Sequence, residues 1–129
     1  MTDDLFHQTM PFAARLGIEA LEHSAGLVRA RLAWDESLCT TGGVLHGGAL
    51  MALADSAGAV CAFLNLPDGA QGTTTIESKT NFLRAIREGN AVATARPLHT
   101  GRKIIVVETE IRDDAGKLAA KITQTQAVL

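Results

Sequence analysis

Asp55 is the only charged side chain in the stretch from Gly47 to Asn65, where its neighbours are apolar or small. A carboxylate in such a segment is costly to keep charged unless it finds partners. Just upstream, His46-Gly47-Gly48 reads as the start of a helix. The first turn of a helix carries backbone N–H groups without intrahelical acceptors, and the macrodipole adds partial positive charge there. Glycine at Gly47 and Gly48 leaves room for a ligand to approach those groups. Together they could hold a carbonyl oxygen while it gains negative charge, the chemistry of an oxyanion hole.

Asp55 lies eight residues after Gly47, about 12 Å along a straight helix at 1.5 Å per residue. A carboxylate at that distance does not reach a carbonyl held at its own helix start. Two subunits packed with these helices side by side and antiparallel would bring the acid of one to the helix start of the other. The spacing therefore predicts a homodimer with two shared sites. Simpler readings stand beside this one. Gly-Gly is also a common tight passage from loop to helix, and a lone histidine before a helix is commonly a cap or a packing group. Helical aspartates are more often exposed than catalytic, but the scarcity of other polar groups here argues against an exposed face.

The elements that must position these residues follow from periodicity. Asp3 to Leu16 reads as a short helix that Pro11 can interrupt. Gly17 to Glu22 reads as a short strand, and Gly26 to Leu32 alternates apolar and basic residues as a half-buried strand does. Trp34 to Gly43 is loop chemistry. From Gly47 to Leu64 the chain is apolar nearly all round, the mark of a helix wrapped by other structure, and Asn65, Pro67 and Gly69 end it. Strands are expected at Thr73–Leu83, Asn90–Leu98, Lys103–Arg112 and Lys117–Leu129. The turns His99–Arg102 and Asp113–Gly116 join the last three into an antiparallel meander. The expected class is α+β, six strands in one sheet around one apolar helix.

Composition narrows the function classes. With 129 residues, 47% hydrophobic and 20% charged, the chain reads as one globular domain, 1–129, with 1–14 as a helical extension. A net charge of −2, a pI near 6.0 and 4% aromatic residues without tyrosine offer neither a nucleic-acid footprint nor a base-stacking platform. Cys39 and Cys61 fit no metal spacing and make no disulfide framework, so a reducing, cytoplasmic setting is expected. Met1-Thr2-Asp3-Asp4 lacks the regions of a signal peptide, and the apolar stretch carries a central Asp and several Gly, so no membrane partner is expected.

Val44-Leu45-His46-Gly47-Gly48 followed by Leu53-Ala54-Asp55-Ser56-Ala57 resembles the hotdog-fold acyl-CoA thioesterases, in the phenylacetate-degradation (PaaI-like) group related to the 4-hydroxybenzoyl-CoA thioesterases. The resemblance continues through Thr74–Glu77, Asn81–Arg84, Gly101–Lys103 and Val106–Glu108, covering about residues 15 to 129. It implies a curved antiparallel sheet wrapped around a long central helix, in dimers that pair into a homotetramer. It implies hydrolysis of an acyl-CoA, aryl-acetyl or short to medium chain, with no metal or redox cofactor because coenzyme A is part of the substrate. By resemblance Asp55 is the nucleophile or the general base on water, and Gly47 donates its N–H to the thioester carbonyl. His46 supports that loop or contacts the thioester, Gly48 belongs to the same substrate-binding turn, and Thr75 stands where relatives carry a hydroxyl that orients the attacking water. Many relatives place Asn six residues before the motif histidine, where this chain has Thr40. Leu50, Met51, Ala54, Gly58 and Phe82 would line the acyl pocket. Arg84, Arg102 and Lys103 have the charge to meet the phosphates of coenzyme A, although solvated surface charge explains each equally well. Glu77, two positions after Thr75, is expected on the same strand face, as a second acid or an ion-pair partner of Lys79 or Arg84. Two other functions fit the same fold: an acyl-CoA hydratase or dehydratase, and a non-catalytic acyl-CoA binding module.

Overall fold

The computed structural model describes residues 2–129. Two short helices open the chain, α1 (Thr2–Thr9) and α2 (Pro11–Leu16). Pro11 starts the second helix rather than breaking a longer one, because its missing N–H costs nothing in a first turn. Gly17 ends α2 in the left-handed region at φ 78°, so the strand that follows starts two residues later than the sequence pattern implies.

The strands are β1 (Glu19–Ser24), β2 (Leu27–Ala33), β3 (Thr73–Phe82), β4 (Asn90–Thr100), β5 (Ile104–Arg112) and β6 (Leu118–Val128). They form one antiparallel sheet in the order β1-β2-β4-β5-β6-β3. The connection from Trp34 to Gly43 is a loop, as its composition indicates, with one 3-10 turn at Glu36–Leu38 capped by Asp35. Between β2 and β3 runs the central helix α3 (Gly47–Phe63), which touches all six strands. Among the described residues no helix is long and apolar enough to cross a membrane.

Small residues let α3 lie close on the sheet. Ala54, Ala57, Gly58 and Ala62 meet a sheet face on which β4 presents Ala91, Ala93 and Ala95, all buried. Val28 and Leu32 of β2 and Ile105, Val107 and Ile111 of β5 supply the bulk around that contact. The opposite sheet face is polar, with Lys121 between Glu108 and Glu110 at 3.6 and 3.7 Å. Such exposed pairs add little stability.

The helix is not wrapped on every side within one chain. Gly48, Met51, Asp55 and Phe63 form an exposed stripe at helical spacing, with Phe63 58% exposed. An apolar stripe of this kind, interrupted by one acid, is what a second surface covers.

Candidate active site

His46 caps α3. Its Nδ1 accepts from the Gly48 N–H at 2.7 Å, and its carbonyl accepts from Ala49 and Leu50 at 2.9 and 3.2 Å. Because Nδ1 accepts, the ring proton sits on Nε2. The capping role and the loop-supporting role of His46 are thus one arrangement. Among the described residues no acceptor takes the Gly47 N–H, which is the free donor of this turn. A Cβ at Gly48 would stand 2.9 Å from His46 Nδ1, and one at Gly47 would stand 3.0 Å from Phe82 Cζ. Glycine is required at Gly48, and the exposed Phe82 ring lies over Gly47. The approach to this turn is pinned by the Trp34 indole N–H on the Gly43 carbonyl at 2.9 Å and by Arg87 on the Gly42 carbonyl at 3.1 Å. Thr40 is exposed, and its backbone N–H closes the loop on the Val44 carbonyl at 2.8 Å.

Asp55 sits two turns further along, on the exposed stripe. Its surroundings are less bare than the sequence implied. Thr75 Oγ1 and Gln124 Nε2 both donate to the same carboxylate oxygen, Oδ1, each at 2.8 Å. Gln126 Nε2 donates to Thr75 Oγ1 at 2.6 Å. These assignments follow from chemistry. A carboxylate accepts, so Gln124 must turn its NH2 towards it. The Thr75 hydrogen is then committed to Asp55, so Gln126 must donate to Thr75. Thr75 has no second hydrogen for a water molecule, and towards one it can only accept. Gln124 and Gln126 are 0% and 1% exposed, and the sequence reading did not single them out. Their signal was the alternation in β6, where Ile122, Gln124 and Gln126 share the face that packs on α3. Two glutamines on a core-facing stripe require a polar partner.

Gly58 is placed by Gln124 rather than by an acyl group. A Cβ there would lie 1.6 Å from Gln124 Oε1. Leu50 and Ala54 are buried in the core, so of the residues expected to line an acyl pocket only Met51 and Phe82 present exposed side chains. An apolar cavity of about 470 Å³ lies beyond Asp55 on the same helix, with Val60, Phe63 and Leu64 facing Leu5 and Met10.

The charged candidates do not gather. Arg84 follows β3 and pairs with Asp113 at 3.4 Å. Backbone N–H groups of Lys117 and Ala115, with Arg84, hold the Asp113 carboxyl below the usual range. Arg102 and Lys103 lie at the other end of the sheet, beside Val128, which pairs with the first residue of β3. A ten-residue strand separates the two ends by roughly 30 Å, so within one chain the three cannot grip one phosphate. Glu77 is on the wrong face. The register slips between Thr75 and Glu77, and the extra residue at this bulge turns Glu77 outward to Thr125, whose hydroxyl lies 3.4 Å from it. Among the described residues it makes no ion pair with Lys79 or Arg84.

One helix laid across a six-stranded antiparallel sheet, with a glycine-opened helix start and one acid on its free stripe, defines the hotdog class. Residues 42–120 match the thioesterase superfamily. The crystal structure of a thioesterase from Haemophilus influenzae superposes with a TM-score of 0.89 at 30% identity, covering 98% of this chain and 87% of that one. The 1,4-dihydroxy-2-naphthoyl-CoA hydrolase of Escherichia coli is 38% identical over 87 residues, 67% of this chain and 63% of that protein. The Escherichia coli PaaI protein shares the fold, with a TM-score of 0.87 at 21% identity over 99% of this chain and 91% of that one. The chain belongs to the thioesterase superfamily, as a hotdog-fold enzyme that hydrolyses thioesters.

Proposed function

We propose that this enzyme hydrolyses an acyl-CoA, aryl-acetyl or short to medium chain, to the free acid and coenzyme A. Asp55 is the catalytic carboxylate, and the Gly47 N–H of a second protomer is the oxyanion donor. The observation that carries the reading is the pairing of one unused donor at the start of α3 with one exposed, doubly anchored carboxylate on its apolar stripe. Covering that stripe with an antiparallel copy of itself removes exposed Met51 and Phe63 from water. It also brings each acid to its neighbour's helix start and the Arg84 end of one protomer towards the Arg102 and Lys103 end of the other.

In the general-base route Asp55 takes a proton from water as the water oxygen attacks the thioester carbon. The carbonyl oxygen collects charge against the Gly47 N–H. Collapse expels the coenzyme A thiolate, which takes up a proton. In the nucleophilic route the carboxylate attacks, the same thiolate leaves, and water then hydrolyses the acyl–Asp55 anhydride. Both routes use the oxygen of Asp55 that Thr75 and Gln124 leave free. The hydrolase activity of the Escherichia coli relative on an aromatic acyl-CoA supports this substrate class. We place the activity in the cytoplasm, a reading supported by two free cysteines.

The test is thiol release from a panel of aryl and straight-chain acyl-CoA esters by the parent protein, Asp55→Asn and Asp55→Ala, with gel filtration of each. Turnover is expected to fall by orders of magnitude in both variants while the elution volume stays that of a dimer or tetramer. Near-parental turnover by Asp55→Asn, or a monomeric active species, overturns the reading.

A further inference from the structure

We propose that Gln124 and Gln126 are positioning residues that commit Asp55 to react through Oδ2, an inference that rests on Asp55 being the catalytic carboxylate. Thr75 and Gln124 approach from β3 and β6 and converge on one oxygen, each at 2.8 Å. Gln126 stands behind Thr75 at 2.6 Å and occupies one lone pair of its hydroxyl, so the Thr75 hydrogen has Oδ1 as its acceptor. The carboxylate is thereby held at one end by two strands of a rigid sheet. Oδ2 has no partner among the described residues, and it is the oxygen with lone pairs available for a water hydrogen or a thioester carbon.

The surroundings of the two glutamines support a purpose beyond filling space. Both amides are buried, yet Gln124 Oε1 and Gln126 Oε1 have no partner among the described residues. An unpaired buried polar atom is destabilising, so an apolar side chain would serve the core better. The helix also gives way to Gln124: the only residue that fits above its amide is the glycine at Gly58. The fold therefore keeps two costly polar groups and a helix-interior glycine to hold one carboxylate oxygen.

The experiment measures kcat, KM and pH profiles in the intact oligomer for Gln124→Met, Gln124→Glu, Gln126→Met, Asp55→Asn and the Asp55→Asn/Gln124→Met pair. Gln124→Met is expected to lower kcat roughly ten- to a hundredfold, as misplacing a reacting group does, with KM within about twofold of the parent. Gln126→Met leaves the Gln124 bond in place and is expected to lower kcat less. Gln124→Glu keeps size and polarity but sets a second carboxylate against Asp55. Two such groups cannot both ionise, so the pair retains a proton. The acidic limb of its kcat profile is expected to move up by about one pH unit or more. A residue 124 side chain that does not face Asp55 would leave that limb in place. On the Asp55→Asn background, Gln124→Met is expected to change the residual turnover little.

An unchanged kcat in Gln124→Met overturns the inference, as does a Gln124→Glu profile that superposes on the parent. An equal fold-loss on the Asp55→Asn background also overturns it, by assigning the effect to the fold. If Gln124→Met does not fold, the Gln124→Glu profile decides. Retained turnover in Asp55→Asn is the separate failure of the underlying reading, measured in the same set.

Discussion

Replacing Gly58 with alanine should slow this enzyme without making it more stable. Alanine in place of glycine in a helix interior ordinarily gains about 1 kcal/mol. Here the new Cβ would stand 1.6 Å from Gln124 Oε1 and 2.6 Å from its Cδ, so the amide or the helix must move about 1.4 Å to restore a 3.0 Å separation. That displacement is half the length of the 2.8 Å bond from Gln124 to Asp55. Overpacking costs about 1–3 kcal/mol, and loss of a hydrogen bond to a charged group costs a further 1.5–3 kcal/mol or so. Together they outweigh the helix gain and leave a net loss of about 1.5–5 kcal/mol, at least several degrees in Tm for a domain of this size. Turnover should fall about tenfold or more as Asp55 loses an anchor. The assay is thiol release alongside a circular-dichroism melt, with Gly26→Ala as the control because a Cβ there meets nothing within 4 Å. A Gly58→Ala protein with a raised Tm and unchanged kcat would show that Gln124 neither packs against Gly58 nor holds Asp55.

Four further outcomes are expected. Gly47→Pro removes the free N–H at a position where proline suits a helix, after a His46 already extended at φ −62° and ψ 135°, and kcat should fall roughly 10²–10³-fold. Refolding that variant together with Asp55→Asn should restore activity through mixed dimers with one complete site, and mixed dimers without activity would show that sites are not shared. Burial pushes the Cys61 thiol up to about 11, and its thiolate fraction rises only as pH climbs towards that value. Burial, then Asp35 and Glu36, raise the Cys39 thiol as well, but Cys39 is only half-buried. At pH 8 in the native state alkylation should therefore spare Cys61 while Cys39 reacts slowly, and mass spectrometry showing both modified equally would contradict this. The depressed Asp113 carboxyl, held by the Lys117 and Ala115 N–H groups and Arg84, contributes stability above its unfolded pKa of about 3.9, lost as pH falls through its lower folded value. Between pH 5 and 3 the Tm of Asp113→Asn should drop less than that of the parent.

The sequence carried the elements and lost the long-range pairings. Alternation in Gly26–Leu32, the apolar run after Gly47 and the turn at Asp113–Gly116 each state a local preference that the sheet and helix keep. The same local logic brought His46 and Gly47 together, because a helix start is a local structure. It could not report that Gln124, sixty-nine residues from Asp55, would land on it, since that depends on β6 sitting beside β3. Nor could it see the bulge after Thr75. Two-residue alternation puts Glu77 beside Thr75, and one extra residue in the ladder cancels that. Asp55 was expected off an exposed face, but the helix lies on a single sheet that shields only one side of it. Arg84, Arg102 and Lys103 looked like one group because nothing local reveals that β3 separates them.

Trp34 gives the molecule a built-in optical gauge. It is the only tryptophan, the chain has no tyrosine, and its ring is tethered to the carbonyl of Gly43, three residues before the helix cap. Emission excited at long wavelength therefore arises from one ring at one place. Any event that frees or tightens the loop leading into α3, an arriving thioester included, is reported by the emission of that ring, with no tyrosine or second tryptophan to mask it.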